Sequence, residues 1–249
     1  KRLHVGDSLV LDGGWTMQVE AKHPETGTVH VRLPHDVEAF FAYSDTHGDV
    51  PTPPYVDAST ETKAGYQTVY AKTTGSVAAP TAGLHFTPEL LEKLKERGIH
   101  QACVTLHVGI GTFRPMNDGA IADHVMHEEW ASVPAETVEA IAQAKRKGHR
   151  VIAIGTTATR ALESAAHAHE PLRAWSGWTR LFITPGYSFR VIDGLLTNFH
   201  LPKSTLLVLV SALAGIDTIR AAYQHAITHD YRFYSFGDAM LIERTTPNA

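Results

Sequence analysis

The sequence predicts an α/β fold in which a main α/β domain follows a smaller, β-barrel-like domain. Three observations carry this. The first fifty residues are short alternating runs broken by turn residues, residues 67 onward alternate strand-like and helix-like segments, and a proline-rich stretch separates the two. The expected division is therefore 1–49 as part of a small β domain, 50–66 as connector and 67–249 as the main domain.

Each element has a local reason. Ser8–Leu11, Thr16–Ala21 and Thr28–Leu33 read as strands, separated by Asp12-Gly13-Gly14 and Pro24-Glu25-Thr26-Gly27. Val50-Pro51-Thr52-Pro53-Pro54 is stiff and extended. Thr87-Pro88-Glu89 supplies an N-cap and a first-turn proline for a helix that Gly98 closes, and Ile99–Val108 follows as a strand. Pro134-Ala135-Glu136 opens a second helix, with Val138, Ile141 and Ala142 inward and Gly148 as its stop. Val151–Ile154 is a buried-type strand leading through Gly155-Thr156-Thr157 into helix Ala158–Ala166. Strands are expected at Leu181–Thr184 and Phe189–Ile192, helices at Thr205–Ala214 and Asp217–Thr228, and a last strand at Ala239–Ile242.

Composition narrows the class. With 43% hydrophobic and 19% charged residues over 249 positions, the chain is an ordinary globular sequence and not disordered, collagenous or coiled coil. The longest apolar stretch, Leu206–Val210, falls far short of a membrane span, and the first residues open no signal-peptide hydrophobic region. One cysteine, Cys103, forms no internal disulfide and no thiolate-rich metal site, which suits a reducing cytoplasm. The net charge of −4 argues against nucleic acid, but it is unevenly placed. Between Ala140 and Thr205 nine Lys and Arg face three acids, the footprint of a surface that meets phosphates; a solvated helix face at Lys145–Arg150 explains part of it equally well.

Four segments interrupt the periodic pattern with small residues beside polar ones: Gly75–Phe86, Leu106–Pro115, Gly155–Arg160 and Thr197–Ser204. The second has a Gly-x-Gly but no third glycine, so it is no dinucleotide fingerprint. The third follows a strand and opens a helix, where N–H groups receive a carboxylate or phosphate or are capped by Thr156 or Thr157.

Taken together, Tyr66-Gln67-Thr68-Val69-Tyr70-Ala71-Lys72, the Gly75–Phe86 segment, Thr105–Pro115 and Asp193–Leu207 resemble the S-adenosylmethionine:tRNA ribosyltransferase-isomerases of queuosine biosynthesis. The similarity runs from about Pro53 to Ile242. It implies a main α/β domain of the QueA-like type with the β domain inserted into it. In that pattern an α/β segment precedes the position of Lys1, so this chain is expected to begin inside the insertion, without the family's N-terminal part.

The resemblance also implies the chemistry. The ribosyl moiety of S-adenosylmethionine is transferred to the aminomethyl group of 7-aminomethyl-7-deazaguanine at the tRNA wobble position and isomerised to epoxyqueuosine, with adenine and methionine released. S-adenosylmethionine is a substrate, and neither a separate cofactor nor a metal is called for. The sulfonium acidifies the adjacent C5′ protons, so positioned acids and bases and exclusion of water suffice. The partners are then this tRNA and S-adenosylmethionine, with no membrane, in a cytoplasmic monomer.

Given that reaction, small side chains that admit close backbone approach place S-adenosylmethionine against Ala79, Pro80, Thr81, Gly83, Phe86, Gly109, Gly111, Thr112, Phe113 and Asn198, with Phe86 or Phe113 covering a ring or the sulfonium. His85 and His200, inside the two most pattern-breaking segments, are the candidates for proton transfer, with binding or core hydrogen bonding as the structural alternative. His107, on an apolar strand, reads as structural. Arg160, Arg180, Lys203 and Arg114 are the expected tRNA contacts; Lys203, at a helix start where a cation opposes the dipole, either meets an anion or faces solvent.

Two other function classes compete with this reading. A metal hydrolase rests on His124-Val125-Met126-His127-Glu128-Glu129, which matches neither His-Glu-x-x-His nor its inverse. A non-catalytic RNA-binding module would use only the basic stretch. Metal analysis discriminates the first, and adenine release from S-adenosylmethionine the second.

Overall fold

Alternation and turn chemistry build the N-terminal strands. The computed structural model describes residues 3–24, 27–34, 36–49, 52, 56, 65–109, 121 and 124–244, in two compact units, Lys1–Pro51 and Thr52–Ala249. In the first, β1 (Ser8–Val10), β2 (Thr16–His23) and β3 (Thr28–Arg32) form an antiparallel meander in that order. Gly13, at φ 76°, makes the tight turn between β1 and β2. An irregularity between Val19 and Ala21 shifts the β2/β3 register, and Val19 is buried.

This unit is not all β. Helix α1 (Val37–His47) follows the meander, capped by the Asp36 carboxylate, which accepts from the Ala39 N–H at 2.7 Å. Trp15 stacks on Tyr43 of the helix at 4.8 Å between ring centroids. Asp36 as cap and Gly48 as stop were visible in the sequence, but the helix has only a weak apolar stripe, which hides it from a periodicity search.

The second unit is organised around one helix. In chain order it contains a 3-10 turn (Thr81–His85), α2 (Pro88–Glu96), β4 (Thr105–His107), β5 (Glu129–Val133), α3 (Ala135–Arg146), β6 (Ile152–Ile154), α4 (Gly155–Ala168), β7 (Trp175–Thr179), β8 (Gly194–Asn198), α5 (Thr205–Ala214), α6 (Ile216–Thr228) and β9 (Ala239–Glu243). Strands β4, β5 and β7 make an antiparallel sheet in that order; β6, β8 and β9 make another, with β6 and β8 parallel and β9 antiparallel to β8. Helix α4 packs against strands of both sheets, and ten of its fourteen residues are buried. Ala161, Ala165 and Ala166 permit that close approach. The α/β class expected from the sequence is observed.

Several expected elements differ, each for a hydrogen-bonding reason. Only Thr105–His107 of the expected strand Ile99–Val108 pairs; upstream, the Gln101 amide donates to the Leu91 carbonyl and the Thr137 hydroxyl to that of Cys103. Phe189–Ile192 is not a strand, because the buried Glu163 carboxylate of α4 takes the N–H groups of Arg190, Val191 and Ile192 at 2.9, 2.9 and 3.2 Å. Leu181–Thr184 is also irregular: the Leu181 N–H goes to the Thr179 hydroxyl and its carbonyl to Arg160. The strands of that region are instead β7 and β8, and β5 was not expected either. Helix α4 starts at Gly155, so Gly155-Thr156-Thr157 is its first turn, and neither threonine caps it.

Among the described residues no single helix is long and apolar enough to cross a membrane; α5 and α6 are bent by 115° around Gly215.

Candidate active site

Strands β6 and β8 run parallel with Ile152, Ala153 and Ile154 opposite Gly194, Leu195 and Leu196, so their carboxyl ends lie side by side. Loops and helix starts gather at such an end, and ligands of α/β folds bind there. Two features occupy it here: the first turn of α4, directly after β6, and Thr197 and Asn198, which extend β8 past its partner. The 3-10 turn Thr81–His85 contacts both β8 and α4. Ala82 reaches the start of α4, its Cβ 3.5 Å from where a side chain on Gly155 would begin.

At the end of that turn, the Asn198 side-chain amide lies 3.1 Å from His85 Nε2. His85 is half-buried and Asn198 fully buried. The turn is held to its neighbours by fit. A Cβ on Gly83 would come within 2.0 Å of the Tyr70 hydroxyl and 2.7 Å of Thr68 Cγ2, so only glycine fits against the Tyr66–Tyr70 segment. Sequence reasoning missed Tyr70 as part of this site, although it stands in one of the runs that carry the resemblance; burial pushes its phenol above the ordinary range.

His200 has the opposite environment. It is 9% exposed, its Nε2 lies 3.1 Å from the Thr197 hydroxyl, and its N–H donates to the Tyr223 hydroxyl at 2.7 Å. The preceding Phe199 is enclosed by the rings of Tyr223, Tyr231 and Phe233. Burial lowers the His200 ring to about 4, so it is neutral at physiological pH. The ring expected to take part in proton transfer is thus enclosed within its own loop.

The described starts of the two glycine-containing segments meet at Ser76, Val77 and Val108. The Val77 N–H donates to the Val108 carbonyl at 3.0 Å, and the Val108 N–H donates to the Ser76 hydroxyl at 3.1 Å. Gly109 is fixed from its other side, its N–H donating to Glu129 Oε1 at 3.3 Å. Ala79, Pro80, Thr81 and Phe86 lie in or beside the 3-10 turn, all partly buried. Gly111, Thr112, Phe113 and Arg114 lie outside the described residues. His107 stacks on Trp130 at 5.2 Å and packs where a Gly75 side chain would go, a structural setting.

The charged candidates separate sharply. Arg160 is buried: Nη1 pairs with Glu129, Nε donates to the Leu181 carbonyl and Nη2 has no partner. A guanidinium committed to an interior carboxylate is no docking surface, which corrects the expectation for Arg160. Arg180 is exposed and pairs with Glu128 at 3.1 Å, and Lys203 is exposed with left-handed backbone at φ 54° immediately before the Ser204 cap of α5. The basic excess of the 140–205 stretch shrinks in three dimensions, because Arg146, Arg150, Arg160 and Arg180 meet Glu139, Glu243, Glu129 and Glu128 from outside it.

Among the described residues no three His, Cys, Asp or Glu side chains converge as metal ligands. Of the residues behind the metal reading, Glu128 and Glu129 are engaged with arginines and His124 packs against Phe182. A surface concavity lined by Lys95, Gly98, Ile99, His100 and Gln101 shares no residue with the site described above.

Comparison with known proteins shows the family. The family model for queuosine biosynthesis protein matches residues 1–242. S-adenosylmethionine:tRNA ribosyltransferase-isomerase of Halothermothrix orenii is 51% identical over 242 residues, covering 97% of this chain and 71% of that protein. Enzymes of the same name from Herminiimonas arsenicoxydans and Acaryochloris marina are 56% and 61% identical, over 87% and 78% of this chain. The chain spans 63% and 53% of the lengths of these last two. The crystal structure of S-adenosylmethionine tRNA ribosyltransferase from Thermotoga maritima superposes with a TM-score of 0.55 at 38% identity, covering 95% of this chain and 65% of that one. By sequence and by fold, the chain belongs to the queuosine biosynthesis family of S-adenosylmethionine:tRNA ribosyltransferase-isomerases.

Proposed function

We propose that the protein carrying this chain transfers the ribosyl group of S-adenosylmethionine to 7-aminomethyl-7-deazaguanine in tRNA, isomerising it to epoxyqueuosine with release of adenine and methionine. His85 is its proton-transfer group. The observation that carries the assignment is the contrast between the two candidate histidines: His85 is half-buried on a turn at the carboxyl ends of β6 and β8, and His200 is sealed.

The chemistry asks for little besides position. A C5′ proton beside the sulfonium must leave, the aminomethyl nitrogen must attack, and adenine and methionine must depart, all in a site that keeps water from the intermediates. S-adenosylmethionine is bound by Ala79, Pro80, Thr81, Gly83, Phe86, Gly109, Gly111, Thr112, Phe113 and Asn198. The contact between Val77 and Val108 supports this, since it places the roots of the two segments side by side. Lys203, Arg180 and Arg114 supply the phosphate contacts of a tRNA-binding surface. The substrate S-adenosylmethionine brings its own activation, so no resident cofactor is needed, and the protein works as a cytoplasmic monomer.

Replacing His85 with Gln tests the reading. Affinity for S-adenosylmethionine should stay within a few-fold of wild type, and adenine release in the presence of tRNA should slow by about 10² to 10⁴. Turnover at the wild-type rate would remove His85 from proton transfer.

A further inference from the structure

A buried amide with one satisfied end and one unsatisfied end calls for an explanation. Asn198 is 3% exposed; its Nδ2 lies 3.1 Å from His85 Nε2 and its Oδ1 has no partner. Nδ2 carries two N–H donors, and its contact with His85 uses one of them while Oδ1 stays unmet. In the orientation observed Nδ2 faces Nε2, and an amide nitrogen only donates. The backbone gives the side chain little latitude, because Asn198 is the last residue of β8, opposite Ala239 of β9.

From this geometry we infer that Asn198 is a positioning residue that fixes the tautomer of His85: Nδ2 donates to Nε2, and the proton of the neutral ring sits on Nδ1. The inference rests on His85 being the proton-transfer group. It deepens that reading by assigning what the ring does at the substrate, which is to donate a hydrogen bond from Nδ1. With the Nε2 lone pair occupied, the neutral ring offers only an N–H, so it meets the substrate as a hydrogen-bond donor to charge that develops as a group departs. Adenine accumulates negative charge as its bond to the ribosyl carbon breaks and is the leaving group suited to such a donor. The C5′ proton is then taken by a different group. The sealed His200 loop lies on the same strand end but has no part in this arrangement, its Nε2 being paired with Thr197.

The test is ¹⁵N NMR of the protein with labelled histidine, the His85 ring being identified by its loss in His85→Gln. At pH 8 wild-type His85 should show N–H character at Nδ1 and lone-pair character at Nε2. In Asn198→Asp, where the side chain only accepts, the proton should move to Nε2. Adenine release should fall at least tenfold in both Asn198→Asp and Asn198→Ala, and Asn198→Asp should not rescue despite its equal size. A wild-type ring with its proton on Nε2 or averaged between the two nitrogens overturns the inference without any variant. So does a tautomer unchanged in Asn198→Asp, or an Asn198→Ala enzyme within twofold of wild type. If instead the tautomers behave as expected and His85→Gln turns over normally, the pairing stands and the proton-transfer reading of His85 is what fails.

Discussion

His85 and His200 approach the same strand end from different parts of the chain and end in different physical states. His85, on the 3-10 turn Thr81–His85, is half-buried and bonded to Asn198; His200, two residues past β8, is closed in by Thr197, Tyr223 and the rings around Phe199. Asn198 and Thr197 are successive residues of a strand, so their side chains point to opposite faces of the sheet, and each holds one histidine. A single step in register thus separates a half-buried histidine from a sealed one. The arginines repeat the lesson. Arg160 is turned inward onto Glu129, and Arg180, on the strand side of the same region, is turned outward onto Glu128. Residue type and sequence position selected all four as candidates, and burial divides them.

The largest effect should come from breaking the interior member of the arginine pair. Arg160→Ala leaves the Glu129 carboxylate, 4% exposed, without its cation and should lower stability by about 3–5 kcal/mol in urea unfolding. It should also loosen Gly109, whose N–H shares that carboxylate. Replacing both partners by apolar residues of similar volume should restore most of the stability, because the desolvation cost disappears with the charges. A soluble, fully stable Arg160→Ala protein would mean that Arg160 is not the buried partner described here.

The sealed histidine gives a smaller effect with a defined pH window. Burial holds the folded His200 ring at about 4, below the value of about 6.5 for the unfolded chain. Between those values the unfolded state binds the extra proton, so His200's contribution to stability is complete above pH 6.5 and is lost as pH falls toward 4. The loss amounts to about 3 kcal/mol. Glutamine does not titrate, so the stability gap between wild type and His200→Gln should narrow by that amount from pH 7 to pH 4. A gap that stays constant across the range would show that the ring is not held neutral by burial.

How far these distinctions were legible in the sequence depends on whether they are local. The helix beginning at Thr87-Pro88-Glu89 and the Pro134 helix were readable because caps, prolines and stop glycines act within one turn. The glycine-rich segments were readable as pattern breaks, and Gly83 shows why: Tyr70 occupies the space of a side chain. Long-range satisfaction of backbone groups was not readable. Nothing near Phe189–Ile192 announces that its N–H groups go to Glu163, some 27 residues upstream of Arg190. The charge asymmetry misled for the same reason, since the acids that answer Arg146, Arg150, Arg160 and Arg180 lie elsewhere in the sequence. Asn198 and His85 were each singled out, but their pairing across 113 residues required the fold.

The smallest effect expected is on the outward-facing cations. If Lys203 contacts a tRNA phosphate, Lys203→Ala should lower the slope of log K against log salt by about 0.7 to 0.9, the upper value applying to paired RNA strands, and should leave S-adenosylmethionine binding unchanged. Arg180→Ala should move the slope less, because Glu128 at 3.1 Å already neutralises part of that charge. Glu128→Gln should then steepen the slope by freeing Arg180 for phosphate. Conservative replacement of the interior pair should not move it at all, since Arg160 offers no surface to a polyanion. Filter binding over a range of salt concentrations reads all of these directly. A slope unchanged by Lys203→Ala, Arg180→Ala and Glu128→Gln alike would take the tRNA off this face of the second unit and with it the outward half of the comparison.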